Sequence, residues 1–416
     1  MNDNKKIMKT VNILIPIQLF LFAILLAGCE FDNTPVATDP REDGVPRPEI
    51  TSIEPEEKWL AGVDEIVIAG NNFSEIPENN HVYFNDKKGT ILEANSSQLH
   101  VRPPVDAIGD SIRVRVAVMG AVQFSNTIYY TLERAIEQWG GLTGSQLPWG
   151  VAIDSDDNLY VSTEGPGELQ GIQKITPDGE HSEYSPRQGW IYISLRMGPD
   201  GYLYTARGPA QQAILYRVSP GGGETPSPWI ASAHGIGRVR DMDFDANDYL
   251  WAGGNNEEIY RISLDQEVTS YPFDHNVIGV RVFDNGLYIA SQKDEEYNIW
   301  RFPLDAESNL GEKELYFAFS DEIGDPDVAA YSITFSEDGE LFVGTDRGEY
   351  GMIIVYPDRS WEPFYPALIK PRTRAVTWGE GPYMYISRQE FNDQPQRLFR
   401  VNTMREGAPY YGAHAD

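Results

Sequence analysis

Cysteine is almost missing from this chain: among 416 residues there is one, Cys29. No intramolecular disulfide can form, so the fold must rest on core packing alone. Basic residues are scarce as well. Lys and Arg total 33 against 63 Asp and Glu, for a formal charge of −30, which makes nucleic acid and anionic lipid surfaces poor partners for the folded body. The main apolar run, Val11–Ala27, falls short of the ~20 residues a spanning helix needs and contains Pro16. The six histidines, His81, His100, His181, His234, His275 and His414, include no pair at metal-ligand spacing. There is no Gly-x-Ser-x-Gly elbow and no phosphate loop, the two short motifs that would announce an activated serine or a nucleotide. No cofactor, metal or catalytic residue is therefore predicted.

At the N-terminus Lys5, Lys6 and Lys9 precede the apolar stretch, which ends in Leu26-Ala27-Gly28-Cys29. A charged start, an apolar middle and small residues before a cut describe a secretory signal. Leu-Ala-Gly-Cys resembles the bacterial lipobox. The resemblance implies that residues 1–28 are a lipoprotein signal peptide and that Cys29 becomes the lipidated first residue, anchored in a membrane with the protein outside the cytoplasm. Residues 29–47 are rich in Pro, Asp, Thr and Glu with almost nothing apolar, the composition of a flexible tether. Glu30 and Asp32 resemble part of the acidic export signal of Bacteroidota surface lipoproteins, which implies the outer membrane and a surface-exposed position in a Gram-negative bacterium.

From Pro48 to Glu133 short apolar runs alternate with turn residues: Ile66-Val67-Ile68 before Gly70-Asn71-Asn72, Val82-Tyr83-Phe84 before Asn85-Asp86, and Ile112 to Val116 with period two. These are half-buried strands at the spacing of a small β-sandwich. The run Ile68-Ala69-Gly70-Asn71-Asn72-Phe73, together with Leu99-His100-Val101, Pro103, Gly109 and Ser125-Asn126, resembles an IPT/TIG immunoglobulin-like domain over 48–133. Such domains act mostly as spacers or binding modules.

The rest of the chain, 134–416, repeats itself. A turn followed by Leu-aromatic recurs at Leu159, Leu203, Leu250, Leu287 and Leu341, with Met384 in the sixth copy, at steps between 37 and 54 residues. Each anchor is followed by a second strand of the type Ile-Tyr-Arg-Ile at 259–262. Six copies of a four-strand unit predict a six-bladed β-propeller, giving an all-β chain with an immunoglobulin-like sandwich first. The sixth copy stops one strand short, and Ala135–Trp139 is expected to supply that strand and close the ring. Pro148 to Asp154 with Asp178-Gly179 resembles the NHL repeat, a family of six-bladed propellers that grades into lactonases and lyases.

Counting back from each anchor collects the residues at the top of the channel: Trp149, Ile193, Arg240, Ile278, Tyr331 and Arg374. The exits of the second strands add Glu164, Arg207, Asn255, Gln292 with Lys293, Asp346 with Arg347, and Arg388 with Gln389. For so acidic a chain this set is basic, suited to an anionic or hydroxyl-rich ligand that arginine forks bind and aromatic rings stack on. The competing reading pairs the arginines with Glu164, Asp241 and Asp346 in ion pairs between blades. Arg196, Asp243 and Arg281 share one register in blades two to four, so Asp243 is expected between two guanidinium groups in a structural network, its pKa lowered by them. Asp241, Asp243, Asp245 and Asn247 alternate with Met242 and Phe244, which fits a strand rather than a calcium loop.

Proteins joining these two domain types resemble the glycan-binding lipoproteins of Bacteroidota uptake systems. The resemblance implies non-catalytic capture of a polysaccharide or oligosaccharide at the propeller top face, in company with an outer-membrane uptake complex. A lactonase- or lyase-like enzyme with a metal in the channel, and a protein-interaction scaffold, are the alternatives.

Overall fold

The computed structural model describes residues 44–56, 59–166, 170–186, 189–208, 213–366 and 368–410. The expected signal segment 1–28, the expected lipid-attachment residue Cys29 and the expected tether up to residue 43 lie outside the described residues. Among the described residues no helix is long and apolar enough to cross a membrane. One compact unit gathers the chain up to Glu54 with Ile66–Val101 and Arg113–Tyr129; the other gathers Pro55–Glu65, Arg102–Ile112 and Tyr130–Asp416.

The chain is all-β, an immunoglobulin-like sandwich followed by a six-bladed propeller. One sandwich sheet has the order Glu49–Glu54, Ile66–Asn71, Gln98–Arg102, Thr90–Ala94. The other runs Trp59–Ala61, Ile128–Arg134, Gly109–Val118, Asn80–Phe84, Lys87–Lys88, with Trp59–Ala61 parallel to its neighbour. Period-two patterning sets the buried faces: Ile66 and Ile68, Val82 and Phe84, and Val114 and Val116 are all fully buried, while the residues between them are partly exposed. Gly70 is required by close approach, since a Cβ there would fall on the Glu49 carbonyl oxygen and the Phe73 ring.

The propeller consists of six four-stranded sheets. Their first strands are Leu147–Ile153, Ile191–Met197, Asp241–Phe244, Asn276–Phe283, Ala330–Phe335 and Thr373–Trp378, and these lie against one another around the ring. Ile136–Gln138 forms the outer strand of blade six, with Ile136 opposite Val401 and Glu137 opposite Arg400. The Arg400 guanidinium sits 3.5 Å from the centre of the Trp139 ring and 4.6 Å from that of Tyr383, with its Nε donating to Glu137 at 3.0 Å. The ring is thereby closed by the chain segment that precedes blade one.

Six apolar clusters fill the six clefts between neighbouring blades; Tyr160 and Ile172 with Leu195 and Tyr216, for example, join blades one and two. A blade is apolar on both faces because each face belongs to a different cleft. In blades one to three the recurrent turn before the anchor has a polar cause. Asp154, Asp200 and Asp245 each accept from a main-chain amide within the turn and from an aromatic side chain of the following strand: Tyr160 at 2.8 Å, Tyr204 at 2.7 Å and Trp251 at 2.7 Å. Asp245 is thus a turn cap in the Asp241–Asn247 run, its carboxylate used by Asn247, Tyr249 and Trp251.

Candidate functional site

The first strands do more than line the channel. In five of the six blades the pairing of the first strand with the second slips by one residue near its beginning, between Pro148 and Val151, Tyr192 and Ser194, Val277 and Gly279, Ala330 and Ser332, and Thr373 and Ala375. The extra residues are Trp149 with Gly150, then Ile193, Ile278, Tyr331 and Arg374. A bulge of this kind re-aims a side chain out of the sheet's alternation, and here it delivers one residue per blade to the channel mouth. In blade three the equivalent place is taken by Arg240, whose amide donates to Gly253 O at 2.7 Å. Gly254 permits it: a Cβ at that position would fall on the Arg238 carbonyl oxygen and 3.0 Å from the Arg240 nitrogen.

Arg240, Tyr331 and Arg374 meet at this mouth. The Arg240 and Arg374 guanidinium carbons lie 5.3 and 5.2 Å from the centre of the Tyr331 ring, and Arg374 is also 5.2 Å from the centre of Trp149. The Trp149 indole N–H donates to Glu164 at 3.3 Å, which fixes the ring. Among the described residues neither Arg240 nor Arg374 has a carboxylate within 4.0 Å, and Arg374 Nε is buried without an acceptor. The carboxylates that might have paired with them are engaged elsewhere: Asp346 with Arg347 at 3.1 Å and Asp241 with Arg281 at 2.9 Å. Burial, reinforced by Arg240, pulls the Arg374 guanidinium below the usual arginine range, against the influence of Tyr331.

Above the mouth lies a cavity of about 350 Å³ whose walls include Trp149, Ile191, Ile193, Val239 and Asn255, with four arginines, Arg207, Arg238, Arg240 and Arg374, and among the described residues no carboxylate. Arg207 stacks on Trp190, its guanidinium carbon 4.1 Å from the ring centre, and its Nε is also buried without an acceptor. Beneath the mouth the channel narrows to a space of about 20 Å³, room for about one water. There the charges pair. Asp241 accepts from Ser194 Oγ at 2.7 Å, from the Val280 amide at 2.9 Å and from Arg281 at 2.9 Å, with Arg196 at 3.8 Å.

The structure differs from the sequence expectation at Asp243. Arg196 is 3.3 Å from it, but the residue spanning Arg196 and Arg281 is Asp241. The reason is the stagger between blades: Asp241 and Asp243 reach the amides of Val280 and Val282 in blade four, one residue to either side of Arg281, and the guanidinium turns toward Asp241. The expected direction of the Asp243 pKa is also reversed. Burial pushes it up to about 7, with Arg196 and the Val282 and Phe244 amides opposing. Lower still, Tyr410 lines another space of about 20 Å³ and its hydroxyl receives the Phe335 amide at 2.6 Å.

Two of the expected ligand residues stand apart from these cavities. Gln292 faces Asn276 and Tyr297 across the sheet of blade four. Arg388 is buried, lies 4.7 Å from the centre of the Phe399 ring, donates to Pro395 O at 2.9 Å and faces Arg397 across the sheet of blade six. Arg238 and Trp190, in contrast, belong to the site but carry no repeat register, since both precede the first strands. Among the described residues no three His, Cys, Asp or Glu side chains are grouped to share a metal ion.

No curated protein sequence matches the chain. Among solved structures, an auxiliary nutrient binding protein from Bacteroides thetaiotaomicron is similar at 12% identity, with a TM-score of 0.53 over 86% of this chain and 97% of that one. A luciferin-regenerating enzyme is similar at 14% identity, with a TM-score of 0.51 over 67% of this chain and 99% of that one. Likeness at this distance concerns fold alone, and the same fold carries unrelated functions. Residues 48–132 match the IPT/TIG domain.

Proposed function

We propose that the chain is a non-catalytic binding lipoprotein, anchored to the outer membrane through Cys29, that captures carbohydrate at the channel mouth of its propeller. The observation that carries this reading is the cavity of about 350 Å³ in which Trp149 offers a ring face while Arg240 and Arg374 offer donors that no carboxylate among the described residues uses. A sugar has an apolar face for the ring and hydroxyls for the donors, and its size suits a cavity of this volume. The IPT/TIG domain would serve as a spacer between anchor and propeller, and an outer-membrane uptake complex would receive the ligand. The Bacteroides thetaiotaomicron nutrient binding protein of the same fold is consistent with this role. Calorimetric titration against a panel of neutral and acidic polysaccharides tests the reading. Binding to at least one member, weakened about tenfold or more by Trp149→Ala, is expected. Heat from no member of the panel overturns it.

A further inference from the structure

Four guanidinium groups, those of Arg196, Arg240, Arg281 and Arg374, line the space just below the channel mouth, and among the described residues the one carboxylate lining it is that of Asp241. Asp241 pairs with Arg196 and Arg281, and Asp243 with Arg196. Arg240 and Arg374 are the surplus. They share the Tyr331 ring, and Arg374 is partly shielded from water. Like charges held together without a counter-charge are costly, and an anion seated between them removes the cost. Such an anion arrives from above, because the space beneath has room for about one water and the layer below it is closed by the Arg196, Asp241 and Arg281 contacts. A chain cannot be threaded through this site. A group that reaches the two arginines is therefore the end of a molecule.

Resting on the carbohydrate reading above, we infer that the site selects the acidic end of a glycan: a terminal uronic acid enters end-on, its carboxylate between Arg240 and Arg374 and its ring against Trp149. Arg207 and Arg238, on the wall of the outer cavity, then meet a second acidic residue of the same chain. A neutral sugar lacks the group that compensates the two cations.

The test is calorimetry of the protein with a short oligouronide, the same oligomer with its carboxylates reduced to alcohols, a neutral oligosaccharide and a long polyuronide. Carboxyl reduction is expected to weaken binding about 10- to 100-fold, as loss of charge-assisted contacts does. The long polymer is expected to bind one protein per chain, as the oligomer does. Equal affinity for the reduced and native oligomers overturns the acidic preference and leaves carbohydrate capture standing. Several proteins bound along one polymer chain overturn the end-on mode. Absence of binding to every sugar, neutral ones included, defeats the underlying reading itself.

Discussion

Arg240 and Arg374 share one partner, the Tyr331 ring, with guanidinium carbons 5.3 and 5.2 Å from its centre. Neither meets a carboxylate within 4.0 Å among the described residues. On the proposed reading such a pair serves a ligand at the expense of the empty fold. Arg374→Met, which keeps the side-chain bulk and removes one charge, is expected to raise the stability of the ligand-free protein by roughly 1 kcal/mol. Thermal unfolding checks this, and a fall in melting temperature would show Arg374 to be a structural residue.

Asp241 has the opposite character. It accepts from Ser194, Val280 and Arg281 at 2.7 to 2.9 Å, and its Arg281 partner is nearly inaccessible. Asp241→Ala strands the Arg281 guanidinium inside the ring and is expected to cost roughly 3–5 kcal/mol. A urea titration reads the loss directly, and a change below about 1 kcal/mol would mean that Arg281 finds other acceptors.

The repeat made the blades readable because a tight turn recurs before an apolar anchor and an aromatic ring that serve the two faces of a blade, and in the first three copies an Asp caps that turn: Asp154 before Leu159 and Tyr160, Asp200 before Leu203 and Tyr204, and Asp245 before Leu250 and Trp251. Register counted from those anchors also found Trp149, Arg240, Tyr331 and Arg374, although the bulge that turns the residue toward the channel leaves no mark in a single sequence. The same counting misjudged Asp243, since it treats equal register as contact and ignores the stagger by which Arg281 reaches Asp241. Arg388 has the right position along its strand but turns onto Phe399, which only packing decides. Trp190, Arg238 and Tyr410 lie in connections or beyond the last repeat, where periodicity has nothing to say.

Protonation of Asp243 gives stability a pH dependence of definite sign. Its carboxyl holds a proton up to about pH 7 in the folded protein and to about pH 4 in the unfolded chain. Between these values the folded state binds more protons, so the unfolding free energy falls as pH rises, and levels off above pH 7. The stability of wild type relative to Asp243→Asn is expected to fall by roughly 2–4 kcal/mol across this window. A difference that grows with pH would mean that Arg196 keeps the carboxylate ionised throughout.

Arg400 latches the propeller shut by lying between Trp139 and Tyr383 and bonding to Glu137. Arg400→Ala is expected to cost roughly 1–2 kcal/mol and to speed hydrogen exchange in Ile136–Gln138 and Arg397–Asn402 before other blades. Uniform exchange across all six blades would show that closure does not depend on this residue.

The affinity of the Arg240→Ala/Arg374→Ala variant for an acidic oligosaccharide that the wild type binds decides whether the proposed ligand site is the channel mouth. Calorimetry is expected to register no binding to this variant while its melting temperature stays at or above that of the wild type. Wild-type affinity in this variant would contradict it and move the site away from the propeller axis.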